Sequence, residues 1–142
     1  MSNILVTGAK GQLGREIQSL STQYSENRFT FVSRDELDIC NENALRLLLK
    51  NKNIDTIINC AAYTAVDAAQ TDKDNADKVN HKAIEIVASL VKEMDITFIH
   101  ISTDYVFDGT SYTPYTEEKQ TNPIGVYGST KLAGENVLLD IN

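Results

Sequence analysis

The sequence predicts an α/β fold of the Rossmann type, a doubly wound, mostly parallel sheet with helices on both faces. Three observations predict it. Short β-rich runs alternate with stretches of helical periodicity along the chain, which implies βαβ units joined by right-handed crossovers. A glycine-rich turn directly follows the first apolar run and opens the first helix. The length, 142 residues, fits one domain with a real core.

The elements follow in order. Asn3 to Thr7 reads as a buried strand ending at Gly8. From Gln12 to about Ser21, Leu13, Ile17 and Leu20 recur at helical spacing. Phe29-Thr30-Phe31-Val32 is β-rich and reads as a second strand. Asn41 is placed to cap a helix running to about Lys50, with Leu45, Leu48 and Leu49 on its inner face. Thr56 to Cys60 reads as the third strand, leading into Ala61-Ala62. A long helix is expected from Asn75 to Glu93, with Ala76, Val79, Ala83, Ile86, Val87 and Leu90 as its apolar stripe. Ile96 to Ile101 reads as a fourth buried strand running into Ser102-Thr103-Asp104. Phe107 to Pro123 holds both prolines and reads as a surface loop, and a last helix is expected from Val126 to Leu139. No strand follows that helix, whereas doubly wound sheets continue. The expectation is therefore one NAD(P)-binding Rossmann domain over residues 1–142, the N-terminal portion of a longer protein cut before its last strands.

Composition narrows the function classes. A net charge of −7 with no basic face argues against nucleic-acid binding, while leaving room for an anionic small molecule at a helix N-terminus. No run approaches the roughly 18 apolar residues of a membrane helix. Met1 leads straight into the first strand, which leaves no room for a signal peptide and points to the cytoplasm. Cys40 and Cys60 share no metal-like spacing and read as reduced, buried thiols, so no metal site is expected.

The turn Thr7-Gly8-Ala9-Lys10-Gly11-Gln12-Leu13-Gly14 carries the first functional signal. Gly8 allows the tight turn, Gly11 lets the backbone approach a pyrophosphate, and Gly14 lets the helix pack close to the sheet. The spacing is G-x-x-G-x-x-G, in the strand–turn–helix context that dinucleotide binding requires. No Gly-Lys-Ser/Thr ends the loop, which excludes a P-loop. The second strand ends Val32-Ser33-Arg34-Asp35. Arg34 could accept a 2′-phosphate and Asp35 could bond a 2′-hydroxyl; equally, both could be solvated charges in a turn. The reading favours NADPH, with NADH possible.

Tyr127 and Lys131 carry the second signal. Four residues apart at the start of the last helix, they stack a phenol and an ammonium on one face. A neighbouring ammonium favours the phenolate and so makes a tyrosine a stronger acid. Alone, such a pair is most often a solvated helix face; beside a dinucleotide loop it suggests a nicotinamide-dependent reductase.

Three segments, Thr7–Gly14, Ser102-Thr103-Asp104-Tyr105-Val106-Phe107-Asp108-Gly109 and Tyr127–Lys131, resemble the extended short-chain dehydrogenases/reductases. Within that superfamily the Ser-Thr-Asp-Tyr-Val-Phe-x-Gly string is similar to the dTDP-4-dehydrorhamnose reductases. So are Asn59-Cys60-Ala61-Ala62-Tyr63-Thr64-Ala65-Val66-Asp67 and Lys131-Leu132-Ala133-Gly134-Glu135. The resemblance spans the chain, but members of the family run to about twice its length, and their C-terminal part grips the nucleotide sugar.

The resemblance implies a catalytic triad of Thr103, Tyr127 and Lys131, acting on the C4 carbonyl of dTDP-4-dehydro-β-L-rhamnose to give dTDP-β-L-rhamnose, a precursor of bacterial surface polysaccharide. Cofactor contacts are implied for Gly8, Gly11, Gln12, Leu13, Gly14, Arg34, Asp38, Ile39, Ala61, Ala62, Tyr63, Tyr127 and Lys131. Asp38 and Ile39 would flank the adenine; alternatively they simply end a short strand. Thr103, Asp104 and Tyr105 would face a small nucleotide-sugar substrate. Asn80 is either a support for the active-site backbone or an ordinary helix-surface amide. His81 and His100 read as core or surface residues rather than site residues. A homodimer is possible for the full-length protein. Two other classes share these motifs: a non-catalytic NADP-binding subunit similar to the regulatory subunit of methionine adenosyltransferase, and a sugar-nucleotide epimerase or dehydratase. UDP-galactose 4-epimerases usually carry Ser-Ser-x-x-Val-Tyr-Gly where this chain has Ser102 to Gly109.

Overall fold

β-branched and aromatic residues fill four short runs, and these pair as one parallel sheet. The computed structural model describes residues 1–140. Its strands are β1 (Asn3–Thr7), β2 (Arg28–Val32), β3 (Thr56–Asn59) and β4 (Thr97–His100), in the order β2-β1-β3-β4. Leu5 pairs with Thr30 on one side and Ile57 on the other, and Ile57 in turn pairs with Phe98. Helix α1 (Gln12–Ser21) links β1 to β2, and α2 (Glu42–Asn51) carries the chain back across β1 to β3. That change of direction opens a crevice at the C-terminal ends of β1 and β3, where sheets of this kind bind ligands.

The main core lies on one face of the sheet. Leu5 and Ile57 pack there against Leu45 and Leu49 of α2 and against Val87 and Leu90 of α5 (Ala83–Met94). Asn41 caps α2 as expected, its side chain accepting from the Ala44 N–H at 3.1 Å. Right-handed crossovers put α1 on the opposite face, because the chain leaves β1 there in the other direction. This second face is thinly covered. Leu13 and Leu20 of α1 are 41% and 49% exposed, so the stripe foreseen on α1 is not a core face, and only Gly14 is buried. β4 likewise corrects the expectation of a strand buried throughout. It is an edge strand whose core face holds Phe98, while Ile99 is 46% exposed and Ile101, just beyond it, 40%.

The long helix exists but is not uniform. α4 (Lys73–Asp77) runs into a π-helical turn at Lys78–Lys82 and then into α5. The wider turn rotates the buried face, so Asn80 and Ile84 become fully buried while Val79 and Ile86 are only partly so. A short helix α3 (Val66–Ala69) and a 3₁₀ turn (Asp104–Val106) were not foreseen from periodicity, being too short to show any.

Helix α6 (Val126–Asp140) packs on the π turn, α5 and the 3₁₀ turn. Two glycines permit it. A Cβ on Gly128 would lie 2.1 Å from the Tyr105 carbonyl oxygen, and one on Gly134 would lie 2.4 Å from that of Asn80. Both obstacles are backbone, so neither can move aside as a side chain would. Gly134→Ala is expected to destabilise the protein by about 1–3 kcal/mol through overpacking, despite alanine's higher helix propensity. Equilibrium urea denaturation would measure it; an unchanged or raised midpoint would show that the helix is not seated as described.

Candidate active site

The last residues of three adjacent strands lie side by side at the crevice, and two of them, Thr7 and Asn59, border its cavity. Thr7 pairs with Asn59, and Asn59 with His100, so their side chains stand in a row on the same face. The Thr7 hydroxyl donates to Asn59 Oδ1, which also accepts from the Ala61 N–H at 3.3 Å. Asn59 Nδ2 lies 3.0 Å from His100 Nδ1. His100 Nε2 in turn lies 3.3 Å from the nitrogen of Lys131, which donates to the Ile101 carbonyl at 2.6 Å. Thr7, Asn59 and Lys131 are all buried, Lys131 being only 2% exposed.

Burial governs the ionisation here. It lowers the Lys131 pKa to about 8, partly opposed by Glu135 one turn further along α6. It lowers that of His100 to about 4, with the neighbouring Lys131 charge acting in the same direction. His100 is therefore neutral at physiological pH. Glu135 is itself held by the Ser102 hydroxyl.

The glycine turn forms one wall. Gly8 has φ +68°, and a Cβ there would lie 2.6 Å from the Cys60 carbonyl carbon, so glycine is required on two grounds. Gly14 is required by packing: a Cβ would meet the Gly8 carbonyl oxygen at 2.4 Å. Gly11 is different, since its Cβ would find only the Gly8 oxygen, at 3.1 Å. Gly11 borders the cavity, and α1 starts there without a side-chain cap. The first N–H groups of α1 thus lack side-chain partners at the positive end of a helix dipole, which suits a pyrophosphate. The residues present fit a dinucleotide.

The cavity has a volume of about 770 Å³. Lys10, Arg34, Asp35, Asp38 and Ile39 border it beyond β1 and β2, while Tyr127 and Lys131 border it beside β4. Gly8, Gln12, Leu13, Ala61, Ala62 and Tyr63 complete the predicted residues around it. Asp35 is paired with Lys10 at 2.6 Å, an exposed ion pair, whereas Arg34 is exposed beside it. Asp38 accepts from the Cys40 N–H at 2.9 Å, the main reason its carboxyl sits below the usual range.

Four predicted site residues do not border the cavity. Gly14 lies under the turn. Thr103, Asp104 and Tyr105 form a rim beyond it, where the Thr103 hydroxyl accepts from the Tyr105 N–H and donates to Asp104, both at 3.3 Å. The rim touches the site through Tyr105, whose ring meets that of Tyr127 edge-on at 5.4 Å. Asn80 takes the supporting role. Its amide accepts from the Tyr63 N–H at 2.8 Å and donates to the Tyr63 carbonyl at 3.1 Å and to Thr130 Oγ1 at 3.2 Å. Sequence reasoning missed Thr7, Lys10, Asn59 and His100. A signal was present for three of them, since Thr7, Asn59 and His100 are each the polar last residue of an otherwise largely apolar strand.

Among the described residues no cluster of His, Cys, Asp and Glu could hold a metal ion, and no helix is long and apolar enough to cross a membrane.

Nearly the whole chain is similar to known proteins. The dTDP-4-dehydrorhamnose reductase of Burkholderia thailandensis is 43% identical over 133 residues, covering 93% of this chain and 44% of that protein. The dTDP-4-keto-6-deoxy-D-glucose reductase of Streptomyces niveus is 40% identical, covering 96% of this chain and 47% of that protein. Among solved structures, a dTDP-4-dehydrorhamnose reductase from Bacillus anthracis in complex with NADP superposes with a TM-score of 0.93 at 33% identity, over 99% of this chain and 50% of that one. A dTDP-4-dehydrorhamnose reductase structure from Clostridium acetobutylicum gives 0.92 at 40% identity, over 99% and 50%. The chain thus spans about half the length of the curated relatives it matches. The family described as RmlD substrate binding domain matches residues 1–142, and the chain belongs to that family.

Proposed function

We propose that this chain is the cofactor-binding part of an NADPH-dependent reductase that converts the C4 carbonyl of dTDP-4-dehydro-β-L-rhamnose to the alcohol of dTDP-β-L-rhamnose. The observation that carries the reading is the shared cavity: Tyr127 and Lys131, on the buried face of α6, border the same space as the uncapped start of α1. The names of the relatives supply the reaction class and the sugar nucleotide.

Bound NADPH would supply the hydride to the sugar carbonyl. As negative charge grows on the carbonyl oxygen, Tyr127 acts as general acid and donates its phenolic proton. The Thr103 hydroxyl orients that oxygen by a hydrogen bond. Lys131, one turn from Tyr127, stabilises the phenolate left behind and is within the same pocket to bond the nicotinamide ribose. NADPH is favoured over NADH because Asp35, the group suited to a 2′-hydroxyl, is engaged by Lys10, while Arg34 borders the cavity with its charge available to a 2′-phosphate.

The test is loss of NADPH absorbance with dTDP-4-dehydro-β-L-rhamnose, catalysed by the full-length protein. Binding of NADPH without its oxidation would support a regulatory subunit instead. Tyr127→Phe is expected to lower kcat by about 100-fold or more with little change in NADPH affinity; unchanged turnover removes Tyr127 as the acid. Arg34→Ala is expected to weaken NADPH binding by roughly 10- to 100-fold, the worth of a charged hydrogen bond, and to leave NADH binding nearly constant. Equal losses for both cofactors in titrations would sink the 2′-phosphate assignment.

A further inference from the structure

The strand-end row leads to a residue that neither the motifs nor the relatives single out. A backbone N–H can only donate, so the bond from Ala61 N fixes Oδ1 of Asn59 on that side, beside the Thr7 hydroxyl. Nδ2 of Asn59 is then the atom facing His100, and it too can only donate. His100 Nδ1 must be its acceptor, so the neutral ring carries its proton on Nε2. That proton points at the Lys131 nitrogen, 3.3 Å away. An ammonium there would set donor against donor, whereas a neutral amine offers a lone pair to His100 and keeps an N–H for the Ile101 carbonyl.

We infer that His100 is a positioning residue for Lys131: fixed by Asn59 as its Nε2–H tautomer, it aims a proton at the lysine nitrogen and lowers the proton affinity of that nitrogen in the ligand-free protein. The other groups facing Lys131 do not reverse this. Tyr127 lies one turn before it, and Cys60, just beyond β3 on the same cavity, has its thiol pKa pushed up by burial. Glu135 favours the ammonium, and burial outweighs it. The inference rests on the proposed reductase reading for its purpose. There it brings the ionisation of Lys131 closer to neutral pH, beside the tyrosine that must be reprotonated after each turnover.

The experiment needs neither substrate nor turnover, so its failure leaves the reductase reading standing. In the intact, ligand-free protein labelled at histidine ring nitrogens and lysine Cε, NMR titration reports the His100 tautomer and the Lys131 ionisation. The expected result is a protonated Nε2 and bare Nδ1 on His100 at neutral pH, with Lys131 titrating at about 8 or below. Asn59→Asp, whose carboxylate accepts rather than donates, is expected to move the His100 proton to Nδ1 and to raise Lys131 proton affinity at least about tenfold. An Nδ1–H tautomer in the unaltered protein, or Lys131 titrating like a free lysine, overturns the inference. So does a rise in Lys131 affinity with His100 still protonated on Nε2, because the new charge would then be acting directly. If the Asn59→Asp variant does not fold, the two measurements on the unaltered protein still decide.

Discussion

One buried amide ties the two halves of the site together. Asn80 closes both hydrogen-bonding groups of Tyr63 on the strand-end side and reaches Thr130 on the helix side. Tyr63 is part of the cavity wall, and Thr130 adjoins Lys131 on α6. The residues between β4 and α6 are mostly loop, so covalent continuity alone cannot hold that helix in register with the sheet. A buried N–H or C=O left without a partner costs about 1–3 kcal/mol, and Asn80 satisfies two of them at once. The wider π turn is what brings this amide to the buried face, and the absence of a Cβ on Gly134 is what lets α6 come close enough to use it. Local irregularity in α4–α5 is thus the condition for regular placement of Tyr127 and Lys131.

The same closeness creates the electrostatic problem at the centre of the site. A fully buried lysine binds its proton less tightly than it would in the unfolded chain, so the folded state is disfavoured while that proton is held. With a folded pKa of about 8 against an ordinary value of 10.5, the unfolded chain binds more protons between those limits, and stability from this group rises with pH across that window. Below about 8 both states are protonated and the cost is constant. The protein carries this cost at the pH where it would work, as is common where an ionisable group serves chemistry rather than stability.

The parts of this architecture that were legible in the sequence are those written in local patterns. The strand–glycine–helix turn, the Asn41 cap and the four β-rich runs each depend on residues within one turn or strand, and the structure has them within a residue or two. What periodicity could not foresee depends on partners distant in sequence. Ile99 and Ile101 look like any buried strand, yet β4 is the last strand of the described sheet and they are partly exposed there. The one-residue rotation of the π turn makes Asn80 rather than Val79 the buried position, a distinction that 3.6-residue spacing cannot draw. Resemblance, rather than patterning, was what brought Thr103 and Asn80 into view. His100 escaped both: its place as a polar strand end was visible, but its partners Asn59 and Lys131 are set only by strand register and helix packing.

The rim and the cavity also divide the work unequally. All the groups suited to a dinucleotide except Gly14, which lies under the turn, border one continuous space, from Arg34 to Lys131. Thr103, Asp104 and Tyr105 sit outside it, and their hydrogen bonds are mostly to one another. Two contacts nevertheless fix the rim to the start of α6: the Tyr105 ring against Tyr127, and the Tyr105 carbonyl against Gly128, the residue next to Tyr127. A shift of the 3₁₀ turn must therefore move with the start of α6 or collide with it. On the proposed mechanism, where proton donation demands placement to within a fraction of an ångström, the rim would act by positioning Tyr127 as much as by touching a substrate. Gly128 is the pivot of that coupling, because any side chain there would push the turn and the helix apart.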